Sequence, residues 1–259
     1  MKVLVIGTGV IGSIYGYVLA RVGHHVSHYV RPGQSARQAK AIELHLLDGR
    51  TAEPMEVEAL YPARLVEAFS PNDAYELILV SLKHYDVASI LPQLAAGAGR
   101  ADILFFNNWW DDLGAVDAVL AGRYLWGFPV AGGGWIDGRL DGALLDSVHL
   151  GEIDGALTPR LARIKALFES AALKVELEPD ILAWLWVHFA TEAGLISSAI
   201  AAGSVDTMLD DLPRLEAAIL AGREGLEICR ARGVDATQVP DAQPFYAPVE
   251  AVAAGIRDF

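Results

Sequence analysis

Cysteine is almost absent from this sequence, because its 259 residues include only one, Cys229. A single cysteine excludes an internal disulfide and any metal cluster built on several thiolates. Cys229 shares a helical repeat with the apolar residues Leu215, Ile219 and Leu226. A small buried residue is expected at such a place far more often than a reactive thiol. We therefore predict a core position for Cys229 and no metal site.

Positive charge is scarce as well. The chain has 20 Lys and Arg against 33 Asp and Glu, which gives a formal net charge of −13 at pH 7. Binding of nucleic acid requires a broad basic surface that meets the phosphates, so this balance argues against it. An acidic metabolite could still bind where its pocket is locally basic.

Long hydrophobic runs are also missing, although 53% of the residues are hydrophobic. No uninterrupted apolar run reaches the length of a membrane span. A charged and apolar leader with a cleavage site is not visible either, since the first apolar run belongs to the motif described next. We attribute the hydrophobic content to buried parallel strands and a buried helix, with an oligomer interface as a further option. The expected location is the cytoplasm, without membrane contact.

A glycine motif opens the chain. Val3–Ile6 is a short apolar run typical of a buried strand, glycines follow in G-x-G-x-x-G spacing, and a helical repeat begins directly afterwards. In this context the first glycine allows a tight turn, the second lets a pyrophosphate approach the backbone, and the third lets helix and strand pack closely. The phosphates then lie over the helix N-terminus. The sequence thus predicts a dinucleotide site formed by Gly7, Gly9, Val10, Ile11 and Gly12.

The acidic residue that usually binds the adenine ribose is missing. No Asp or Glu occurs from Met1 to Ile42, and Arg31 stands after the second predicted strand, where the carboxylate is expected. Arg37 and Lys40 follow, so this segment is locally basic. A guanidinium can hold a phosphate through two parallel hydrogen bonds, and Arg31 therefore indicates NADP rather than NAD. A solvated loop arginine is the alternative.

Two later strands are followed by polar residues. Glu76–Ser81 leads to Lys83, and Asp102–Phe106 leads to Asn108 and then to two tryptophans. Ligands of open α/β sheets gather at the carboxyl ends of the strands, so both side chains are expected near cofactor and substrate. Lys83 could reach the nicotinamide ribose, a phosphate or a substrate carboxylate, and Asn108 could hold a substrate hydroxyl. A lysine at a sheet edge and an asparagine in a turn are the alternatives.

The last third of the chain has a helical pattern. Asp180–Ala202 is apolar on most sides and is predicted as the central helix of a second domain. His188 and Glu192 lie four residues apart and share one face with Trp184. A charged pair on a buried helix is costly unless it is paired or used, so these residues are site candidates. A core histidine bonded to Glu192 is the alternative.

These patterns together predict an α/β fold in two domains. Alternating runs at Tyr124–Ile136 and Leu140–Leu150 are joined by Asp137-Gly138, a strong signal for an antiparallel hairpin. We expect an N-terminal Rossmann-type NADP-binding domain over residues 1–178. A smaller all-α domain for substrate binding and dimerisation is expected over residues 179–259.

The order of features resembles the ketopantoate reductase family over nearly the whole chain. The resemblance rests on the glycine turn, on Arg31, and on the segments Ser81-Leu-Lys83, Phe106-Asn-Asn108 and Leu185-Trp-Val-His188. It implies a Rossmann domain and a helical domain with NADPH and substrate between them, and the reduction of 2-dehydropantoate to pantoate. It also implies that Arg31 binds the 2′-phosphate, that Lys83 lies beside the cofactor and that Asn108 closes the pocket.

Several positions depart from the family pattern. The catalytic lysine of the family falls at His188, and a substrate-binding asparagine falls at Glu192. Trp109 and the residues after it replace a small Gly-rich turn, and a late serine and glutamate that hold the substrate have no counterpart before Phe259. The substrate is therefore expected to differ from ketopantoate.

The predicted function is an NADPH-dependent oxidoreductase that reduces a small carbonyl compound, either 2-oxo acid-like or an imine. His188 is expected to donate a proton to the alkoxide, Glu192 to hold His188 or a substrate cation, and Asn108 and Lys83 to orient the substrate. One alternative is an NADP-binding sensor or scaffold without redox turnover. The other is a lyase or isomerase that uses His188 and Glu192 as acid and base. A homodimer is the expected assembly.

Overall fold

The computed structural model of the chain describes residues 1–37 and 41–257. Lys40, one of the basic residues noted above, lies outside the described residues. The chain divides into two compact units, Met1–Ile181 and Leu182–Phe259. The domain boundary expected after residue 178 lies in the short segment between the last strand and the next helix.

The first unit contains strands and helices in alternation. Its strands are β1 (Lys2–Ile6), β2 (His25–Tyr29), β3 (Ile42–Asp48), β4 (Met55–Tyr61), β5 (Leu65–Val66), β6 (Leu77–Val80), β7 (Asp102–Phe106), β8 (Tyr124–Ile136), β9 (Arg139–Gly151) and β10 (Lys174–Leu177). Its helices are α1 (Val10–Arg21), α2 (His84–Gly97), α3 (Gly114–Leu120) and α4 (Pro159–Ser170).

Within the described residues, ten strands form one sheet. Their order is β4-β3-β9-β8-β7-β6-β1-β2-β5, with β10 alongside β9. All neighbours from β8 to β5 along this order are parallel, whereas β3–β4 and β8–β9 are antiparallel. The parallel strands interleaved with helices form the Rossmann-type part, and their carboxyl ends share one edge. The predicted α/β class is confirmed.

The core of this unit lies between the sheet and α1 and α4. Tyr15 of α1 is fully buried and packs edge-to-face on Phe106 of β7, with 4.8 Å between the ring centroids. It also contacts Phe168 of α4 at 5.9 Å. The alternate strand residues Leu4 and Ile78 are buried as well, so the central strands are covered on both faces.

The predicted hairpin joins β8 and β9. Asp137 and Gly138 have φ of 50° and 86°, the positive values that a tight two-residue hairpin turn requires at both positions. Two short helices were not identified from the sequence. They are α3, with seven residues, and α6 (Val205–Asp210), with six, and neither is long enough to show a clear helical repeat.

The second unit is helical. Besides α6 it contains α5 (Ile181–Ala202), α7 (Leu212–Ala231) and α8 (Val249–Arg257), with short 3-10 segments between the last two. Among the described helices, α5 alone has the length and apolar composition of a membrane span. Its buried side chains, including Leu185 and Val187, make it a core helix of this unit. Cys229 is buried on α7 as predicted, and burial raises the pKa of its thiol.

A buried histidine connects the sheet to the glycine turn. His28 of β2 is fully buried, with Nδ1 2.9 Å from the Gly7 carbonyl oxygen and Nε2 3.0 Å from the Tyr61 hydroxyl. The carbonyl can only accept, so Nδ1–H donates to it and Nε2 accepts from the hydroxyl. This is the neutral ring, and burial correspondingly lowers the pKa of His28.

Acid should therefore destabilise the fold through His28. The pKa of His28 in the folded state lies below the unfolded value of about 6.5. Its contribution to the free energy of unfolding is therefore complete above about pH 6.5 and is lost as the pH falls through the folded pKa. In urea unfolding between pH 7 and 5, His28→Gln should lower the slope of unfolding free energy against pH by up to about 1.4 kcal/mol per unit. His25→Gln, at the exposed start of the same strand, is the control and should keep the wild-type slope. An unchanged slope in His28→Gln would contradict this assignment.

Candidate functional site

The glycine turn lies between β1 and α1. Gly7 has φ of +96°, a conformation that favours glycine, and its N–H donates to the Tyr29 carbonyl at 2.9 Å. Gly9 directly precedes α1, and a Cβ built on it would meet no atom within 4 Å. The space over Gly9 is thus open at a helix N-terminus, where unpaired backbone N–H groups and the helix dipole favour an anion. Val10 and Ile11 form the first turn of that helix.

Gly12 lies where α1 touches the sheet. A Cβ there would lie 2.7 Å from Ser81 Oγ, 3.0 Å from Val5 Cγ1 and 3.2 Å from the Gly7 carbonyl oxygen. Ser81 is itself tied to β1, because its hydroxyl donates to the Ile6 carbonyl at 3.3 Å. The three glycines therefore provide a tight turn, an open face and a close helix–strand contact.

A pocket of about 500 Å³ opens beside this turn. Its lining comes from the turn, from the end of β2 and from the start of α2, and it includes Gly7, Gly9, Arg31, Gln34, Asp86 and Gln93. This volume is within the usual range for small-molecule and cofactor pockets, about 300–1,000 Å³. Lys83 and Asn108 do not line this pocket.

Arg31 is exposed at the pocket and makes no ion pair with any described residue. The turn that carries it is held from β5, because the Glu67 carboxylate accepts hydrogen bonds from the Ser35 N–H at 2.8 Å and from the Ser35 hydroxyl. These contacts, the hydroxyl first, together with the Gly33 N–H, hold the pKa of Glu67 below its usual value. Glu67 is a positioning residue that the sequence analysis missed, since its partner lies 32 residues away.

The carboxyl ends of β6 and β7 are tied together by an asparagine. Asn107 Nδ2 donates to the Leu82 carbonyl at 2.7 Å, and the Trp126 indole N–H lies 3.2 Å from both Asn107 oxygens. Asn107 is therefore used in the scaffold. Lys83 follows Leu82 and Asn108 follows Asn107, so both residues lie just beyond the ends of the neighbouring strands β6 and β7.

Two polar atoms beside this tie have no partner among the described residues. They are the buried Oδ1 of Asn108 and the buried indole Nε1 of Trp109. A buried polar atom without a hydrogen bond is costly unless a ligand or water completes it. The Lys83 ammonium is exposed, 5.9 Å from the ring centre of Tyr85. An acceptor, a donor and a cation thus follow these strand ends.

In the second unit, His188 and Glu192 lie one turn apart on α5. The Trp184 and His188 rings stack, with centroids 4.9 Å apart and planes 8° from parallel. Burial, and then the nearby Asp241, raise the pKa of Glu192. Glu192 borders an apolar groove of about 460 Å³ within this unit, together with Leu195, Phe245, Val252 and Ile256.

The same substitution at two glycines should have different effects on stability. Gly12→Ser should lower the free energy of unfolding by about 1–3 kcal/mol, because its side chain overpacks the contact between α1 and the sheet. Gly9→Ser should change it by less than about 0.5 kcal/mol, since the position is open and serine is a good N-cap residue. Urea denaturation of both variants provides the measurement. Equal losses would contradict the different roles of the two positions.

Most of the first unit matches a known protein family. The profile of the family described as Ketopantoate reductase PanE/ApbA matches residues 3–152. The matched segment contains the glycine turn, Arg31, Lys83 and Asn108. No match was found among the curated proteins.

Solved structures share the fold over the full length of the chain. A 2-dehydropantoate 2-reductase from Methylococcus capsulatus is 24% identical with a TM-score of 0.68, and the match covers 100% of this chain and 80% of that one. A dimeric ketopantoate reductase from Staphylococcus aureus is 14% identical with a TM-score of 0.67 and the same coverage. A D-mandelate dehydrogenase with NADH and anilino(oxo)acetate is 16% identical with a TM-score of 0.69, covering 100% and 79%. At these identities the comparison establishes the fold.

Proposed function

The chain belongs to the ketopantoate reductase family, and we propose that it is an NADPH-dependent reductase of a small carbonyl compound other than ketopantoate. The observation that carries this proposal is the open face over Gly9, beside a pocket that Arg31 borders. A dinucleotide pyrophosphate fits there because any side chain at Gly9 would take its space, while the first turn of α1 presents backbone N–H groups.

Arg31 supports NADPH as the cofactor. Its guanidinium is exposed at the pocket, has no carboxylate partner in the described part of the chain, and sits on a turn fixed by Glu67. A 2′-phosphate can take two hydrogen bonds from such a group. Asp86 borders the same pocket, and we assign its carboxylate to a ribose hydroxyl rather than to the phosphate.

The reaction needs an oriented carbonyl and a proton donor. The bound cofactor supplies the hydride. Asn108 Oδ1 and the Lys83 ammonium are the groups we assign to orienting the substrate, with the Trp109 indole N–H beside them. We assign to His188 the proton that the carbonyl oxygen takes up, because it occupies the place of the family lysine and can be protonated near neutral pH.

Glu192 bears on the substrate class. Burial disfavours the ionised form of its carboxyl group. A cation beside it would stabilise the carboxylate, and a hydrogen-bond acceptor would pair with the protonated carboxyl. It stands where the family has a neutral asparagine. These properties favour an amine-bearing oxo compound or an imine over a simple anionic 2-oxo acid.

The replacement of the family lysine by His188 also favours a second candidate, an NADP-binding sensor or scaffold without turnover. Both candidates predict NADPH binding, and only the reductase predicts its oxidation. A lyase or isomerase that uses His188 and Glu192 would form product without net oxidation of the cofactor.

Arg31→Ala should weaken NADPH binding by at least about tenfold, the effect of losing a charge-assisted hydrogen bond to the phosphate. NADH binding should not change, because NADH has no 2′-phosphate. Gly9→Ser should weaken both cofactors, and Arg100→Ala, an exposed arginine that does not line the pocket, should weaken neither. Calorimetric titration gives these constants. Equal losses for both cofactors in Arg31→Ala would rule out the phosphate contact.

Turnover should appear as loss of NADPH absorbance with a panel of 2-oxo acids, ketopantoate, aldehydes and imines. His188→Ala should reduce kcat by about 10²–10⁴ without changing NADPH affinity, because it removes the proton donor. His188→Lys is the matched variant and should retain part of the rate. Unchanged kcat in His188→Ala would exclude the proton-donor role. Tight NADPH binding without oxidation of any compound would favour the sensor or the non-redox enzyme.

A further inference from the structure

We infer that the first unit carries a second pocket, for a small organic anion, at the end of the sheet opposite the glycine turn. This cavity of about 760 Å³ lies among the last turns of α1, the start of β2 and the strand β4. It begins where β1 and β2 begin, at Lys2 and His25, whereas the cofactor pocket lies where these strands end, at Ile6 and Tyr29. The two pockets share no lining residue.

The cavity follows from the topology of the sheet. The outermost strands in the sheet order are β4 and β5, yet only residues 62–64 separate them along the chain. β5 pairs with the last two residues of β2, His28 and Tyr29, and no described strand pairs with the outer edge of residues 25–27. The edge of β4 away from β3 is likewise unpaired among the described strands. The gap between these two edges is the pocket.

The charge of the lining points to an anion. Lys2, Arg21 and Arg64 line the cavity with the exposed His25, against one carboxylate, Glu58. The Arg21 and Arg64 side chains make no ion pair or hydrogen bond with any described residue. By contrast, carboxylates bind the side chains of Arg50, Arg139, Arg160, Arg163, Arg214 and Arg230. In a chain with net charge −13, two unpaired guanidinium groups over one concave surface focus a positive potential there.

The lining of the pocket is partly apolar. Tyr61 and Tyr17 pack edge-to-face at 6.0 Å, and the Tyr61 hydroxyl donates to buried His28. Val26 and Ala59 add apolar surface. An apolar body with one carboxylate or phosphate group matches this combination, because the rings can take the body while the guanidinium groups take the charge.

Calorimetry with two probes, benzoate and phenyl phosphate, tests this site. The titrations use the full chain with saturating NADPH, so that the cofactor pocket is occupied. We expect saturable binding of at least one probe. Tighter binding of phenyl phosphate would identify a phosphate ester as the ligand class, and tighter binding of benzoate would identify a carboxylate.

Charge variants locate the binding. Arg21→Gln and Arg64→Gln should each weaken the probe by at least about tenfold, the loss expected for a charge-assisted contact. Arg31→Gln, in the cofactor pocket, and Arg100→Gln, on the surface elsewhere, should have no effect on the probe. Unchanged thermal melting and NADPH binding would show that the Arg21 and Arg64 variants are folded. Absence of binding by both probes, or wild-type affinity in the double variant Arg21→Gln/Arg64→Gln, would overturn the inference.

Discussion

The close contact of α1 with the sheet is the constraint on which the rest of the first unit depends. It occurs at two glycines one turn apart, Gly12 and Gly16. A Cβ on Gly16 would lie 2.5 Å from His28 Nε2, just as one on Gly12 would lie 2.7 Å from Ser81 Oγ. Because neither position has a side chain, the helix can lie on the strands and Tyr15 can reach the aromatic core. The same contact positions the first turn of α1 beside the open face at Gly9. The packing of the core and the candidate anion site therefore both depend on it.

The candidate site is supported by residues that do not contact a ligand themselves. Asn107 joins two strand ends through its amide, and the buried Oδ1 of the next residue, Asn108, has no partner among the described residues. Glu67 fixes the turn that presents Arg31, and it does so as a carboxylate because the hydroxyl and backbone N–H groups around it stabilise the charge. Functional side chains on loops gain precision when such contacts restrict the loop. The candidate groups Arg31 and Asn108 therefore lie on a restrained backbone.

Local patterns predicted the parts of this structure that have local causes. The strand, glycine turn and helix that open the chain, the hairpin at Asp137-Gly138 and the long helix α5 follow from turn chemistry and apolar spacing. The parts that depend on distant residues could not be predicted in this way. Nothing near Glu67 signals its contact with Ser35, and Asn107 and Asn108 look equivalent until Trp126 and Leu82 are placed beside the first. The gap between β2 and β4 depends on the order of the whole sheet.

Two residues of α5, His188 and Glu192, bear most directly on the proposed chemistry. The resemblance noted in the sequence implies that His188 stands in place of a lysine, a cation, and Glu192 in place of an asparagine, a neutral amide. A lysine with an asparagine carries one positive charge, whereas an imidazole with a carboxyl group carries one positive charge at most and can carry a net negative charge. A site with less positive charge would hold an anionic substrate less well. A cationic amine or imine beside Glu192 would stabilise the carboxylate form that burial disfavours. Under the proposed function, the two exchanges therefore act in the same direction, away from a simple 2-oxo acid and towards a substrate that brings its own positive charge.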